Sequence, residues 1–106
     1  MPKYLVQANY VGEGVKGLLK EGGSSRRAAV EKLFSLVGGT IEAFYYAFGN
    51  TDLFIIVDLP DNATAAALSL IVNATGTVTP KVTVLLTAEE IDEAAKKTLS
   101  YRPPGQ

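Results

Sequence analysis

The chain has 106 residues, of which 47% are hydrophobic and 20% are charged, and its formal net charge is −1. These values are typical of one small globular domain, and they lack the basic excess with which nucleic-acid-binding proteins neutralise phosphates. The sequence contains neither cysteine nor histidine, which excludes disulfides, thiol nucleophiles and metal sites built on sulfur or imidazole. We therefore predict no nucleic-acid partner and no metal site. Any catalysis would have to use carboxylates, tyrosines, lysines, arginines or a bound cofactor, and we assign no catalytic residue and no cofactor.

No targeting or membrane segment is apparent. The first ten residues combine Lys3 with short apolar stretches, and they lack the continuous apolar region of a signal peptide. No stretch approaches the length of a membrane span. We expect a cytoplasmic protein without a membrane partner, with one domain at residues 1–100 and a tail at residues 101–106.

The first half of the chain predicts one strand and one firm helix. Apolar residues alternate over residues 3–10, which is typical of a half-buried strand. Residues 12–23 are rich in glycine and favour only a short helical turn. Ser24 and Ser25 then offer a cap for a helix that stops at Gly38. Its apolar stripe consists of Val30, Leu33, Phe34 and Val37.

The middle of the chain predicts a hairpin and a second helix. Residues 40–48 and 52–59 have strand character, and the glycine-containing segment between them favours a turn. A helix should begin at the capping residue Asp61 and end at Gly76. We predict that its buried face comprises Ala63, Ala67, Leu70, Ile71 and Ala74.

The last predicted strand covers residues 77–86 and contains Pro80, which is tolerated best in an edge strand. Thr87 and Glu90 then have the spacing of a capping box, and Ile91 begins the apolar face of a final helix. The resulting order β, α, β, β, α, β, α predicts an α+β fold, a ferredoxin-like βαββαβ sandwich with an antiparallel four-stranded sheet plus a C-terminal helix.

Two of the predicted strands are apolar on both faces. In the third strand, Phe54 and Ile56 alternate with other apolar residues. The second strand sets Phe44, Tyr46 and Phe48 against Ile41, Ala43 and Tyr45. Since the helices of such a fold cover one face only, the other face needs a cover. We expect a second copy packed sheet to sheet, giving a homodimer or higher homo-oligomer; alternatively, the last helix covers its own sheet.

The sequence resembles the GYD domain family over nearly its whole length. The resemblance is carried by Tyr4-Leu5-Val6-Gln7, Gly12-x-Gly14-Val15-Lys16-Gly17-Leu18, Arg27-x-x-x-Glu31, Ala43-Phe44-Tyr45-Tyr46-Ala47-Phe48-Gly49, Ile56-Val57-Asp58-Leu59-Pro60-Asp61 and Leu86-Thr87-Ala88-Glu89-Glu90. The glycine–tyrosine–aspartate signature corresponds to residues 49–52, where Thr51 replaces the tyrosine. The resemblance implies a ferredoxin-like fold related to dimeric α+β barrels, whose members include ligand sensors, cofactor-free oxygenases and assembly modules.

Eight residues are candidates for binding a ligand: Asn9, Tyr10, Arg26, Arg27, Tyr45, Tyr46, Asp52 and Asp58. The arginines lie at a predicted helix start, where they would hold an anion or simply face solvent. The tyrosines lie near strand ends, where they would contact a small polar aromatic ligand or pack in an interface. The aspartates would act as buried bases or only shape the adjacent turns.

Three functions remain open from the sequence. The first is a non-catalytic, self-associating domain that binds a small ligand or a protein partner. The second is a cofactor-independent oxygenase or isomerase of small aromatic compounds, in which Tyr45 or Tyr46 would exchange a proton with Asp58. The third is a structural unit that forms rings or filaments through its strand edges.

Overall fold

A computed structural model describes residues 1–47 and 49–106. The described residues form β1 (Lys3–Tyr10), α1 (Glu13–Glu21), α2 (Gly23–Leu36), β2 (Thr40–Tyr46), β3 (Leu53–Asp58), α3 (Asn62–Ala74), β4 (Val78–Leu85) and α4 (Ala88–Ala95). The strands make one antiparallel sheet in the order β2-β3-β1-β4. This α+β arrangement is consistent with the ferredoxin-like prediction. Pro80 lies in an edge strand, as predicted, because β4 ends the sheet.

One face of the sheet carries the core. Tyr4, Val6, Ala8 and Tyr10 of β1 are buried on this face, as the alternation predicted. They pack with alternate residues of β3, with Phe34 of α2, and with α3. The other predicted members of the α2 stripe are partly buried against this cluster, so the predicted face of α2 is confirmed. We call the opposite side of the sheet the open face.

A β-bulge in β2 changes which residues share a face. Ile41 pairs with Val57 and Ala43 pairs with Ile56, so Glu42 is the extra residue. Ile41 therefore packs against the core, whereas the sequence had placed it with Ala43 on one face. Phe48, which the prediction included in this strand, lies outside the described residues.

The predicted face of α3 is wrong. Ala65 and Leu68 are the buried residues of this helix, whereas Leu70 and Ile71 are exposed. The predicted start is confirmed, because the Asp61 side chain accepts a hydrogen bond from the Thr64 amide at 2.8 Å. This bond also lowers the pKa of the Asp61 carboxyl. The helix ends at Ala74, shortly before Gly76 with its positive φ of 71°.

The glycine-rich segment after β1 forms a complete helix. Residues 12–23 had favoured only a short turn, yet α1 runs for nine residues from Glu13 to Glu21. Glu13 in its first turn and Lys20 in its last turn both complement the helix dipole. The predicted serine cap of α2 is also wrong, because Gly22 occupies the cap position and no side chain caps this helix.

The last helix projects away from the domain. The capping box of Thr87 and Glu90 is formed as predicted, with hydrogen bonds of 3.0 and 3.1 Å. No residue of α4 is buried, so it does not fold over the sheet of its own chain. The radius of gyration is 17.1 Å, against about 13 Å for a compact chain of this length.

Among the residues that the structure describes, no helix is both long enough and apolar enough to cross a membrane.

Candidate functional site

Three of the candidate residues meet where β1 ends and β3 begins. The Asn9 side-chain oxygen accepts a hydrogen bond from the Asp52 amide at 3.0 Å, and the Asp52 carboxylate accepts one from the Tyr10 amide at 3.1 Å. The Asp52 amide also donates to the Ala8 carbonyl at 3.1 Å. These reciprocal bonds fix the position of the Asp52 carboxylate at this end of the sheet.

Tyr46 joins this end of the sheet to the helices. Its hydroxyl donates a hydrogen bond to the Gly23 carbonyl at the start of α2, at 2.9 Å. Its ring meets the Phe44 ring edge to face, with the two centroids 5.3 Å apart. A Cβ on Gly23 would lie 3.0 Å from the Tyr46 ring, so glycine at this position permits the close approach. The Tyr46 ring is thereby held against the helix layer.

These groups border a cavity of about 500 Å³ between α1 and the end of the sheet. Its lining comprises Tyr10, Val15, Leu18, Leu19, Gly23, Tyr46, Ala47 and Asp52. Most of this surface is apolar, and Tyr46 and Asp52 supply polar groups at its margin. We call this space the α1 cavity.

Partial burial raises the pKa of Tyr46 to about 12, because it disfavours the charged phenolate. The neighbouring Tyr10 phenol raises this pKa further, and Arg26 and Arg27 oppose it weakly by attracting the phenolate. The Tyr46 hydroxyl therefore stays protonated across the physiological pH range. It is a hydrogen-bonding group there rather than a base.

We expect a late component in the spectrophotometric titration of the tyrosines, near pH 12 and absent from Tyr46→Phe. The folded protein holds this proton to higher pH than the unfolded chain, whose tyrosines titrate near 10. The stability linked to Tyr46 is therefore complete below pH 10 and falls as the pH rises from 10 to about 12. The same titration in denaturant should lack the late component. If the late component persisted there, the folded structure would not be the cause of the raised pKa.

The sequence that forms this site matches a known protein family. The GYD domain family model matches residues 4–95, which is most of the chain. The chain belongs to the GYD domain family. Comparisons with curated proteins and with solved structures gave no match.

The two arginines of this GYD domain have different surroundings. Arg26 is partly buried and lines a second space of about 200 Å³, which shares Tyr10 and Leu18 with the α1 cavity. Arg27 does not line either space. Its guanidinium lies 5.5 Å from the centre of the Phe44 ring and pairs with Glu31 at 3.0 Å. Arg26 is therefore the arginine nearer to the α1 cavity.

Tyr45 and Asp58 lie away from the α1 cavity. Tyr45 pairs with Phe54 and is exposed on the open face, so the two adjacent tyrosines point to opposite sides of the sheet. Asp58 lies at the far end of β3, where it accepts a hydrogen bond from Lys3 at 3.0 Å. It is four residues along the strand from Phe54, or about 13 Å. The structure thus separates Asp58 from both tyrosines.

The apolar wall of the α1 cavity was missed by sequence reasoning. Val15, Leu18 and Leu19 have the spacing of one helical face. The glycines around this stripe led to the prediction of a short turn. The apolar stripe was the signal that could have predicted this wall, because a helix with such a stripe presents one apolar face to a neighbour.

Proposed function

We propose that this GYD domain binds a small, largely apolar compound in the α1 cavity, without catalysis, and that it does so as a homo-oligomer. The observation that carries the proposal is the cavity itself. Its volume of about 500 Å³ falls within the range of pockets that hold small molecules, which are mostly apolar with a few placed polar groups.

The polar margin favours a ligand with a hydrogen-bond donor. The Asp52 carboxylate is an acceptor, and the Tyr46 hydroxyl already donates its proton to Gly23, which leaves its oxygen as an acceptor. A hydroxyl or amino group on an apolar ring or chain would match these acceptors. We therefore infer a phenol-like or amine-bearing compound.

The separation of the proposed proton-exchange groups supports binding over catalysis. The enzymatic alternative requires Tyr45 or Tyr46 beside Asp58. Tyr46 faces the helices, whereas Asp58 is paired with Lys3 at the opposite end of the sheet. This geometry favours the non-catalytic function.

Self-association is supported by the composition of the open face. Its described residues include the apolar side chains Leu5, Ala43, Tyr45, Phe54 and Ile56. No helix covers these residues, since the core and α1–α3 lie on the other side. An apolar face of this kind is unusual on a monomer, so we propose that a second copy covers it.

The ligand proposal predicts different behaviour for two adjacent tyrosines. Native mass spectrometry of freshly purified protein should reveal a retained small molecule, and 4-propylphenol should bind in ligand-observed NMR more tightly than propylbenzene. Tyr46→Phe should weaken 4-propylphenol binding about 2- to 10-fold, since it removes one hydrogen bond.

Tyr45→Phe is the matched control, because it makes the same chemical change on the open face. Asp52→Asn keeps an oxygen that can accept from the Tyr10 amide, and it should weaken the phenol more than the hydrocarbon. Equal affinity of the two probes, or equal effects of the two tyrosine variants, would contradict the proposed site.

A further inference from the structure

The C-terminal segment, residues 86–106, is an arm with an apolar side, and none of its residues is buried against the described part of its own domain. All of its residues are exposed. Its large apolar side chains are Leu86, Ile91, Leu99 and Tyr101. Ile91, Ala94 and Ala95 lie on one face of α4, which is strongly amphipathic. A helix with one apolar face normally buries that face.

The start of α4 explains why the arm does not return to its own sheet. Only Leu86 and Thr87 separate β4 from α4. The Thr87 side chain accepts from the Glu90 amide, and the Glu90 side chain accepts from the Thr87 amide. These two bonds set the direction of the helix within one turn of the strand end. The arm consequently leaves the domain that it belongs to.

The surface area of the chain indicates how much surface self-association would bury. The accessible surface is 7462 Å², whereas a compact monomer of 11.2 kDa exposes about 5,700 Å². The excess is about 1,800 Å² per chain, and two chains that bury it would bury about 3,600 Å² together. This total falls within the range of obligate dimers, about 2,000–5,000 Å².

We infer that the arm of one copy docks on the open face of a second copy, and that the exchange is reciprocal. The inference rests on the self-association proposed above and names the element that provides the cover. Each open face would receive α4 and the following tail of the partner. The sheet would then lie between two helical layers, and both of its apolar faces would be buried.

The dimensions of the open face fit α4. The helix has eight residues and a length of about 12 Å. The four strands extend over about 14 Å in the hydrogen-bonding direction. The groove between α2 and α3 is a less suitable site for α4. The larger of the spaces in this groove has a volume of only about 100 Å³, whereas a helix is about 10 Å across.

One lysine of the open face is placed to pair with the acidic start of α4. The first turns of α4 carry Glu89, Glu90, Asp92 and Glu93. On the open face, Lys81 lies opposite Gln7 and is exposed. This lysine provides a cation at the edge of the face for the acidic turns of a docked helix. The apolar side of α4 would then cover Phe54 and Ile56.

Substitution of Ile91 tests the arm in the full-length protein. Sedimentation velocity should show a dimer for the wild type, and Ile91→Glu should weaken dimerisation about a hundredfold or more, since a two-fold exchange loses both apolar contacts. The matched control is Ile71→Glu on α3, whose exposure of 60% is similar to the 52% of Ile91. Both variants should keep the wild-type circular dichroism, because both side chains are exposed in the monomer.

Disulfide trapping identifies the receiving surface, and the cysteine-free sequence makes the result unambiguous. Ile91→Cys mixed with Phe54→Cys should form a mixed disulfide dimer, whereas Ile91→Cys mixed with Leu70→Cys should not. A dimer that survives Ile91→Glu and traps no disulfide with Phe54→Cys would overturn the arm exchange and leave sheet-to-sheet association. A monomeric wild type would overturn both the arm exchange and sheet-to-sheet association. The proposed ligand binding is tested separately, by the retention of a small molecule.

Discussion

Replacing Leu59 by alanine should lower the free energy of unfolding by about 2–5 kcal/mol, the typical cost of truncating a buried leucine. Leu59 is 1% exposed and follows β3 directly. Its amide donates to the Pro2 carbonyl at 3.1 Å, and a Cβ on Gly39 would lie 2.8 Å from its Cδ2. These contacts leave the neighbouring backbone little freedom to close the cavity that the substitution would create.

The location of Leu59 explains why the loss should be large. The side chain borders an apolar space of about 40 Å³ between α2 and α3, and truncation would enlarge this space rather than make an isolated one. Small domains have a total stability of about 5–15 kcal/mol. The substitution would therefore remove a substantial fraction of the stability of the fold.

Urea denaturation at a fixed protein concentration measures this prediction, because self-association makes stability depend on concentration. Leu36→Ala is the matched control, since Leu36 is 74% exposed on α2 and alanine is at least as favourable in a helix. Its effect should stay within about 0.5 kcal/mol. Similar losses in the two variants would contradict the close packing at the junction of β3 and α3.

The strands could be predicted because β1 alternates between apolar and polar residues and because the other strands are short runs rich in β-branched and aromatic residues. Residues 3–10 form β1 as predicted, and the other three predicted strands exceed the described ones by one or two residues. Thr87 and Glu90 were predictable for a different reason, because a capping box is a local arrangement of four residues. Features of this kind depend on sequence neighbours and need no knowledge of the tertiary fold.

The buried face of α3 could not be predicted because the helix carries no charged residue. In α2, Glu31 and Lys32 mark the solvent side, and its apolar face was predicted correctly. In α3, both Leu68 and the adjacent Leu70–Ile71 pair offer an apolar stripe at helical spacing. Only the packing of α3 against the sheet selects between them, and it buries Leu68.

The candidate site was predictable in its strand residues and not in its helical wall. Asn9, Tyr10 and Asp52 come together because β1 and β3 are paired neighbours with a defined register. The face of the sheet on which Tyr46 lies could not be found by alternation from the first residues of β2, because the bulge after Ile41 shifts this alternation by one residue. The α1 wall was missed because the low helix propensity of glycine outweighed the apolar stripe in the prediction.

Gly14 is the residue on which the position of that wall depends. A Cβ at Gly14 would lie 2.0 Å from the Thr77 carbonyl oxygen and 2.8 Å from the carbonyl carbon. The same carbonyl accepts a hydrogen bond from the Val11 amide at 3.0 Å, which ties the start of α1 to the start of β4. Because the opposing atoms belong to the backbone, a side chain at position 14 cannot be accommodated by rotamer changes.

Gly14→Ala should therefore destabilise the protein by about 1–3 kcal/mol, the usual cost of overpacking. Alanine would favour the helix itself by up to about 1 kcal/mol, but α1 would have to move more than 1 Å from Thr77 to reach an ordinary contact distance. The movement would displace Leu18 and widen the α1 cavity. Faster amide exchange confined to α1, together with weaker binding of 4-propylphenol, would link the packing of this helix to the proposed ligand site.

Gly17→Ala in the same helix separates the steric effect from helix propensity. A Cβ at Gly17 meets only the flexible end of Glu21, at 3.9 Å, so this substitution gains helix propensity without a clash. It should stabilise the protein by up to about 1 kcal/mol, which is opposite in sign to Gly14→Ala. If both alanine variants were equally stabilising, α1 would not be docked on Thr77, and the cavity beneath it would not be a defined binding site.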